Sequence, residues 1–108
     1  MRPTTPVTIR EAEPRDVGTL HDALLALARH TGDEGKIEST PEDLLAHGFG
    51  PDAAFETLVA EVDGQFAGMC LSFRSFSTWR GQLGIYVQDL YVDPAFRGLR
   101  IGERLLRE

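Results

Sequence analysis

One cysteine, Cys70, stands alone among 108 residues. A lone thiol excludes an internal disulfide and fits a reducing cytoplasm, where the protein is expected to work. No apolar run approaches the ~18 residues that a membrane-spanning helix needs, so no membrane partner is expected. The opening Met1-Arg2-Pro3-Thr4-Thr5-Pro6 has no apolar core and is not a signal peptide. The histidines, His21, His30 and His47, lack the spacing of metal ligands and read as surface residues, so no metal is expected. Repeats and low-complexity tracts are absent. Lysine occurs once, as Lys36, against ten Arg, which carries no functional inference.

What is present is an ordinary globular composition, 42% hydrophobic and 26% charged, at a length that suits one domain. The net charge of −6 is uneven. Residues 1–66 hold thirteen acids against five bases, a net −8, whereas residues 67–108 hold four acids against six bases, a net +2. An acidic front half repels nucleic acid and attracts a cationic substrate, and a basic end suits a ligand with phosphates. The alternative is that the acidic helices are merely solvated faces.

The pattern along the chain predicts its elements. Val7-Thr8-Ile9-Arg10 alternates like a half-buried strand. Glu13-Pro14-Arg15-Asp16 opens a helix, Val17, Leu20, Leu24 and Leu27 form its buried stripe, and His30-Thr31-Gly32 stops it. Thr40-Pro41-Glu42-Asp43 caps a second helix that ends at Gly48 or Gly50. A strand over 55–62, the turn Asp63-Gly64 and a returning strand over 65–76 form a hairpin. Gly68, inside that second strand, predicts a bulge or a close backbone approach. Ser77-Thr78-Trp79-Arg80-Gly81 is a loop, residues 85–92 are another strand, Asp93-Pro94 breaks it, and Ile101, Leu105 and Leu106 begin a third helix. The order β-α-α-β-β-β-α gives an α+β, mixed α/β layered fold.

The stretch Leu90-Tyr91-Val92-Asp93-Pro94-Ala95-Phe96-Arg97-Gly98-Leu99-Arg100-Ile101-Gly102-Glu103 carries the chemistry. It joins a strand to a helix through a short basic loop with two glycines. Such a turn aims several backbone N–H groups at one point, which suits a pyrophosphate, and Arg97 and Arg100 add charge at its rim. It has neither the Gly-Lys-Ser/Thr of a nucleotide loop nor the spacing of a dinucleotide fold.

This stretch resembles the signature of GNAT-family N-acetyltransferases, Arg/Gln-x-x-Gly-x-Gly/Ala, after a strand ending in Leu-Tyr-Val and then Asp-Pro. Arg97 matches its first position and Gly102 its last, while Arg100 replaces its middle glycine. The resemblance extends to Ile9-Arg10-Glu11-Ala12, to the hairpin around Asp63-Gly64, and to Ser77-Thr78-Trp79-Arg80-Gly81. Within the family the chain looks most like the diamine and thialysine acetyltransferases, which resemble spermidine/spermine N-acetyltransferase.

The resemblance implies a single, incomplete GNAT domain over 1–108. It implies acetyl-CoA as co-substrate, bound by Leu90, Tyr91, Val92, Arg97, Gly98, Leu99, Arg100, Ile101, Gly102 and Glu103. The acceptor it implies is a small primary amine: a polyamine, a diamine or a thialysine-like compound. Asp89, beside Gln88, is expected to orient the amine or take its proton, and Trp79 to stack on a cationic acceptor. The group that protonates the departing thiolate, usually a Tyr, is expected beyond Glu108, within roughly 40 or more further residues. An exposed apolar sheet edge is expected to favour a homodimer.

Other readings stand beside these. Asp89 is as well placed to pair with a nearby Arg, Gln88 to hydrogen-bond only, Trp79 to pack over the sheet edge and Cys70 to fill the core. The whole chain is alternatively a non-catalytic CoA-binding or interaction fragment of the same ancestry. A further alternative keeps the chemistry and changes the acceptor, to a protein N-terminus or an aminoglycoside.

Overall fold

The computed structural model describes residues 7–96 and 98–107, apart from the Glu34 side chain. Its elements follow in the order β1 (Val7–Glu11), α1 (Val17–His30), α2 (Pro41–His47), β2 (Glu56–Val62), β3 (Gln65–Ser77), β4 (Gln82–Val92) and α3 (Ile101–Arg107), with short 3-10 turns before α1, α2 and α3. The expected order is the one found. The strands form one four-stranded antiparallel sheet in the order β1-β2-β3-β4, so β4 is an edge strand among the described residues. No described helix is long and apolar enough to cross a membrane.

Local chemistry explains the boundaries. The first helix opens later than Glu13, because Pro14–Asp16 makes a 3-10 turn first. There the Asp16 carboxylate accepts from the Glu13 N–H at 2.6 Å. The Thr40 hydroxyl accepts from the Asp43 N–H and the Asp43 carboxylate from the Thr40 N–H, a reciprocal cap that starts α2. Asp63 and Gly64 turn the β2–β3 hairpin with φ of 52° and 78°, the paired left-handed residues that a tight hairpin needs.

Each sheet face has its own core. Under α1 and α2 lie Leu20, Ala23, Leu44, Val59, Met69 and Leu71. Under α3 lie Ala60, Val62, Ala67, Cys70, Ile101 and Leu105, with Phe96 buried beside them. Cys70 is therefore a core residue, and burial raises its thiol pKa, which keeps it in the unreactive form. An ion-pair network ties β1 to the start of α1. Arg10 donates to both Asp16 carboxylate oxygens at 2.8 and 2.9 Å and to Glu61 on β2 at 3.1 Å.

The β3–β4 hairpin is longer than expected, because β4 starts at Gln82 and pairs with β3 out to Ser77. The β2 strand stops at the level of Ser72, so the outer part of the hairpin projects past the body of the sheet. Phe76, Leu83 and Ile85 remain exposed along it.

Candidate active site

The site is built at the C-terminal end of β4. Leu71 pairs with Asp89 and Ser72 with Val87, so Gln88 is the extra residue of a β-bulge. A bulge re-aims the side chains next to it. Beyond it the ladder is regular, and the Asp93 N–H donates to the Ala67 carbonyl at 2.7 Å. Antiparallel alternation then turns the N–H and C=O of Leu90 and Val92 toward the open edge, and those of Tyr91 toward Met69. An extended ligand along this edge would meet Leu90 and Val92, not all three residues expected from the sequence. The Tyr91 ring instead stacks on Phe66, with centroids 6.2 Å apart.

The strand ends where the Asp93 carboxylate accepts from the Ala95 N–H at 2.9 Å. Phe96 is buried and anchors the following loop in the α3-side core. Gly98 and Arg100 are both left-handed, with φ of 95° and 56°. That conformation is free for Gly98 and strained for Arg100, which stands where the signature has glycine. The Arg100 carbonyl accepts from the Arg104 N–H at 3.0 Å, which opens α3, so the N–H groups of Ile101, Gly102 and Glu103 have no partner within the helix. A Cβ on Gly102 would lie 3.6 Å from Val92 and 3.7 Å from Leu90, so the start of α3 rests on the open end of β4. The first turn of α3 and the end of β4 therefore adjoin. Arg97, expected at the rim, lies outside the described residues.

A cleft runs between α1 and this end of β4. Its larger lobe, about 570 Å³, is walled by Leu24, Leu27, His30, Asp33, Gln88 and Asp89. A second lobe of about 370 Å³ follows Leu90, Tyr91 and Val92, with Leu27 and His30 opposite. Both sizes suit a small ligand or part of a larger one. Asp89 is half-buried here and makes no ion pair among the described residues, which do not include Arg97. Burial raises its carboxyl pKa. Asp33 differs: its carboxyl is held below the usual range by the Thr31 hydroxyl and by Lys36 at 3.1 Å.

The structure thus brings Gln88 and Asp89 to one lobe, Leu90, Tyr91 and Val92 to the adjoining one, and Gly102 against Leu90 and Val92. It does not bring Trp79 there. Trp79 caps the far end of the hairpin, 97% exposed and roughly 20–25 Å of strand away from Asp89. It does not pack over the sheet edge either. His30 is the residue that sequence reasoning passed over. It is exposed, as expected, yet it borders both lobes. It is the last residue of α1, and no signal in the sequence places it opposite β4. The described residues hold no cluster of three or more metal-ligating side chains.

The model of the acetyltransferase (GNAT) domain matches residues 53–108, from the approach to β2 through the loop and α3. The chain belongs to the GNAT acetyltransferase family. This GNAT chain is 34% identical over 110 residues to the thialysine N-epsilon-acetyltransferase of Bos taurus, a match covering 94% of the chain and 64% of the cow protein. It therefore spans less than two thirds of that relative's length. Among solved structures it is similar to a possible acetyltransferase from Clostridium difficile, with TM-score 0.71 and 22% identity over 94% of this chain and 66% of that one. It is also similar to the ribosomal-protein-alanine N-acetyltransferase of Brucella melitensis, with TM-score 0.70 and 26% identity over 94% and 67% of the two chains. The GNAT fold expected from the motif is the one these comparisons share.

Proposed function

We propose that this chain works in acetyl-CoA-dependent acetylation of a small primary amine, of polyamine, diamine or thialysine type. The observation that carries the reading is the junction at the end of β4: an open strand edge at Leu90 and Val92 beside the first-turn amides of α3, with the Asp89 carboxylate, which makes no ion pair among the described residues, in the adjoining cleft. The loop amides suit the pyrophosphate of the coenzyme, and Arg100 adds charge there. The edge of Leu90 and Val92 suits the amide-bearing arm, held in the manner of an added strand. That arm would run along the smaller lobe toward Asp89.

The acceptor enters the larger lobe. Its carbon chain lies on Leu24, Leu27 and Ile37, and its ammonium group meets Asp89. Near neutral pH a primary amine is mostly protonated and must lose a proton before it attacks the thioester carbon. Asp89 holds the cation or takes that proton. Similarity to the cow thialysine enzyme supports this acceptor class. A homodimer belongs to the same proposal, supported by the exposed Phe76, Leu83 and Ile85 of the projecting hairpin.

Isothermal titration with acetyl-CoA and with CoA tests the cofactor half, and both are expected to bind. A thiol-release assay over a panel of diamines, polyamines, thialysine, aminoglycosides and peptide N-termini tests the acceptor half. No binding of either coenzyme up to millimolar concentration would reduce the chain to an interaction module of GNAT ancestry.

A further inference from the structure

His30 is an imidazole in the cleft that none of these roles uses. It closes α1 and faces both the lobe that holds Asp89 and the lobe along Leu90 and Val92. Among the described residues its ring makes no hydrogen bond or ion pair, unlike His21, whose Nε2 lies 2.6 Å from the Ser39 carbonyl oxygen.

The charged groups around His30 are few. On its own helix there is Arg29, which is engaged elsewhere. The turn after α1 presents Asp33, already bonded to Thr31 and Lys36. From β4 come Asp89, which makes no ion pair among the described residues, and Gln88, which does not titrate. Asp93, just past β4, is occupied by the Ala95 N–H. Two uncommitted titratable groups therefore share the larger lobe, Asp89 and His30. Imidazole is the side chain most often used to take a proton from a reacting group.

We propose that His30 is the general base for the acceptor amine and that Asp89 holds its cation. This rests on reading the cleft as the acetyl-transfer site. A ring nitrogen of His30 takes one proton from the bound ammonium, directly or through one water. The freed lone pair forms the C–N bond to the thioester carbon, and the C–S bond breaks. The nitrogen sheds a second proton as the amide forms. The departing thiolate gains one proton and the other passes from His30 to solvent, so the reaction releases one proton overall.

The test compares wild type with His30→Ala and His30→Gln in thiol-release assays from pH 5.5 to 9.5, with the acetyl-CoA affinity of each protein measured by titration. His30 is exposed, so both variants are expected to fold. The expected result is a loss of kcat/KM for the amine at pH 7 of about a hundredfold or more, the usual 10²–10⁴ range for a lost general base. Acetyl-CoA affinity changes far less than kcat/KM, the acid limb of the wild-type profile disappears, and added imidazole partly restores His30→Ala. A wild type that turns over amines while both variants keep its rate and pH profile overturns this inference alone. A wild type that binds no acetyl-CoA, or acetylates no amine in the panel, overturns it together with the reading it rests on.

Discussion

Gly68 lies directly under the backbone of Tyr91: a Cβ on it would stand 2.5 Å from the Tyr91 carbonyl oxygen. The same Cβ would come within 3.3 Å of Ile101 Cγ2 and 3.4 Å of Val92 Cα. A backbone oxygen cannot swing aside as a side chain can. Gly68→Ala is therefore expected to push the end of β4 away from β3 and lift α3 with it. Overpacking of this kind costs about 1–3 kcal/mol, read as a lower urea midpoint. Because Val92 and Ile101 belong to the proposed coenzyme site, acetyl-CoA affinity should fall as well. Unchanged stability would show that β4 yields at no cost.

Arg100 supplies a sharper contrast. Its left-handed φ of 56° carries a side-chain penalty of about 1–2 kcal/mol that glycine would not incur. Glycine adds back freedom to the unfolded chain, at about 0.5–1 kcal/mol. Arg100→Gly is therefore expected to be at least as stable as wild type, and Arg100→Ala less stable than Arg100→Gly by about 1 kcal/mol. If the guanidinium touches phosphate, both variants lose acetyl-CoA affinity, and their binding depends less on salt than that of wild type. Equal melting temperatures for the two variants would mean that the loop is not held left-handed in solution.

The elements were legible because their signals are local. The Thr40 cap, the Asp63-Gly64 turn and the periodic stripe of α1 each lie within a few residues, and each appears where the pattern puts it. The loop was legible as a motif, although the left-handed geometry at Arg100 follows from the turn rather than from its residue type. The cleft was not legible. It exists because α1 and β4, more than fifty residues apart, are brought face to face, and only that juxtaposition puts His30 beside Asp89. The bulge at Gln88 was equally hidden, since it is a property of two strands in register. Trp79 misled for a related reason: an aromatic next to a candidate site in sequence lies at the opposite end of a long strand.

The Arg10–Asp16 pair predicts an acid limb of stability. Its hydrogen bonds to Arg10 hold the Asp16 carboxyl below the usual range. The folded-state pKa is thus lower than the unfolded value near ~3.9. The resulting stabilisation is present above that unfolded value and is lost as pH falls through the folded one. Asp16→Asn should cost about 1–3 kcal/mol at pH 7, as expected for a partly buried, charge-assisted bond, and much less at pH 2. Urea unfolding of both proteins at the two pH values checks this, and a pH-independent difference would exclude the ion pair as its source.

Asp89 has the opposite sign, and it separates function from stability. Burial without a cationic partner raises its carboxyl pKa above the unfolded value. Ionised Asp89 therefore weakens the fold. The penalty is present above the folded pKa and is gone once pH drops below about 3.9. Asp89→Asn keeps the shape and removes the charge, so it should unfold at a higher urea concentration than wild type at pH 7. The gain should vanish in acid. In the same variant the KM for the amine should rise, because the cation loses its counter-charge, while acetyl-CoA binding is unaffected. If Asp89 holds the acceptor ammonium as proposed, the cationic acceptor stabilises wild type more than it stabilises Asp89→Asn. If Asp89→Asn is destabilised at pH 7 and keeps its KM, the carboxylate has a structural partner and does not bind the acceptor.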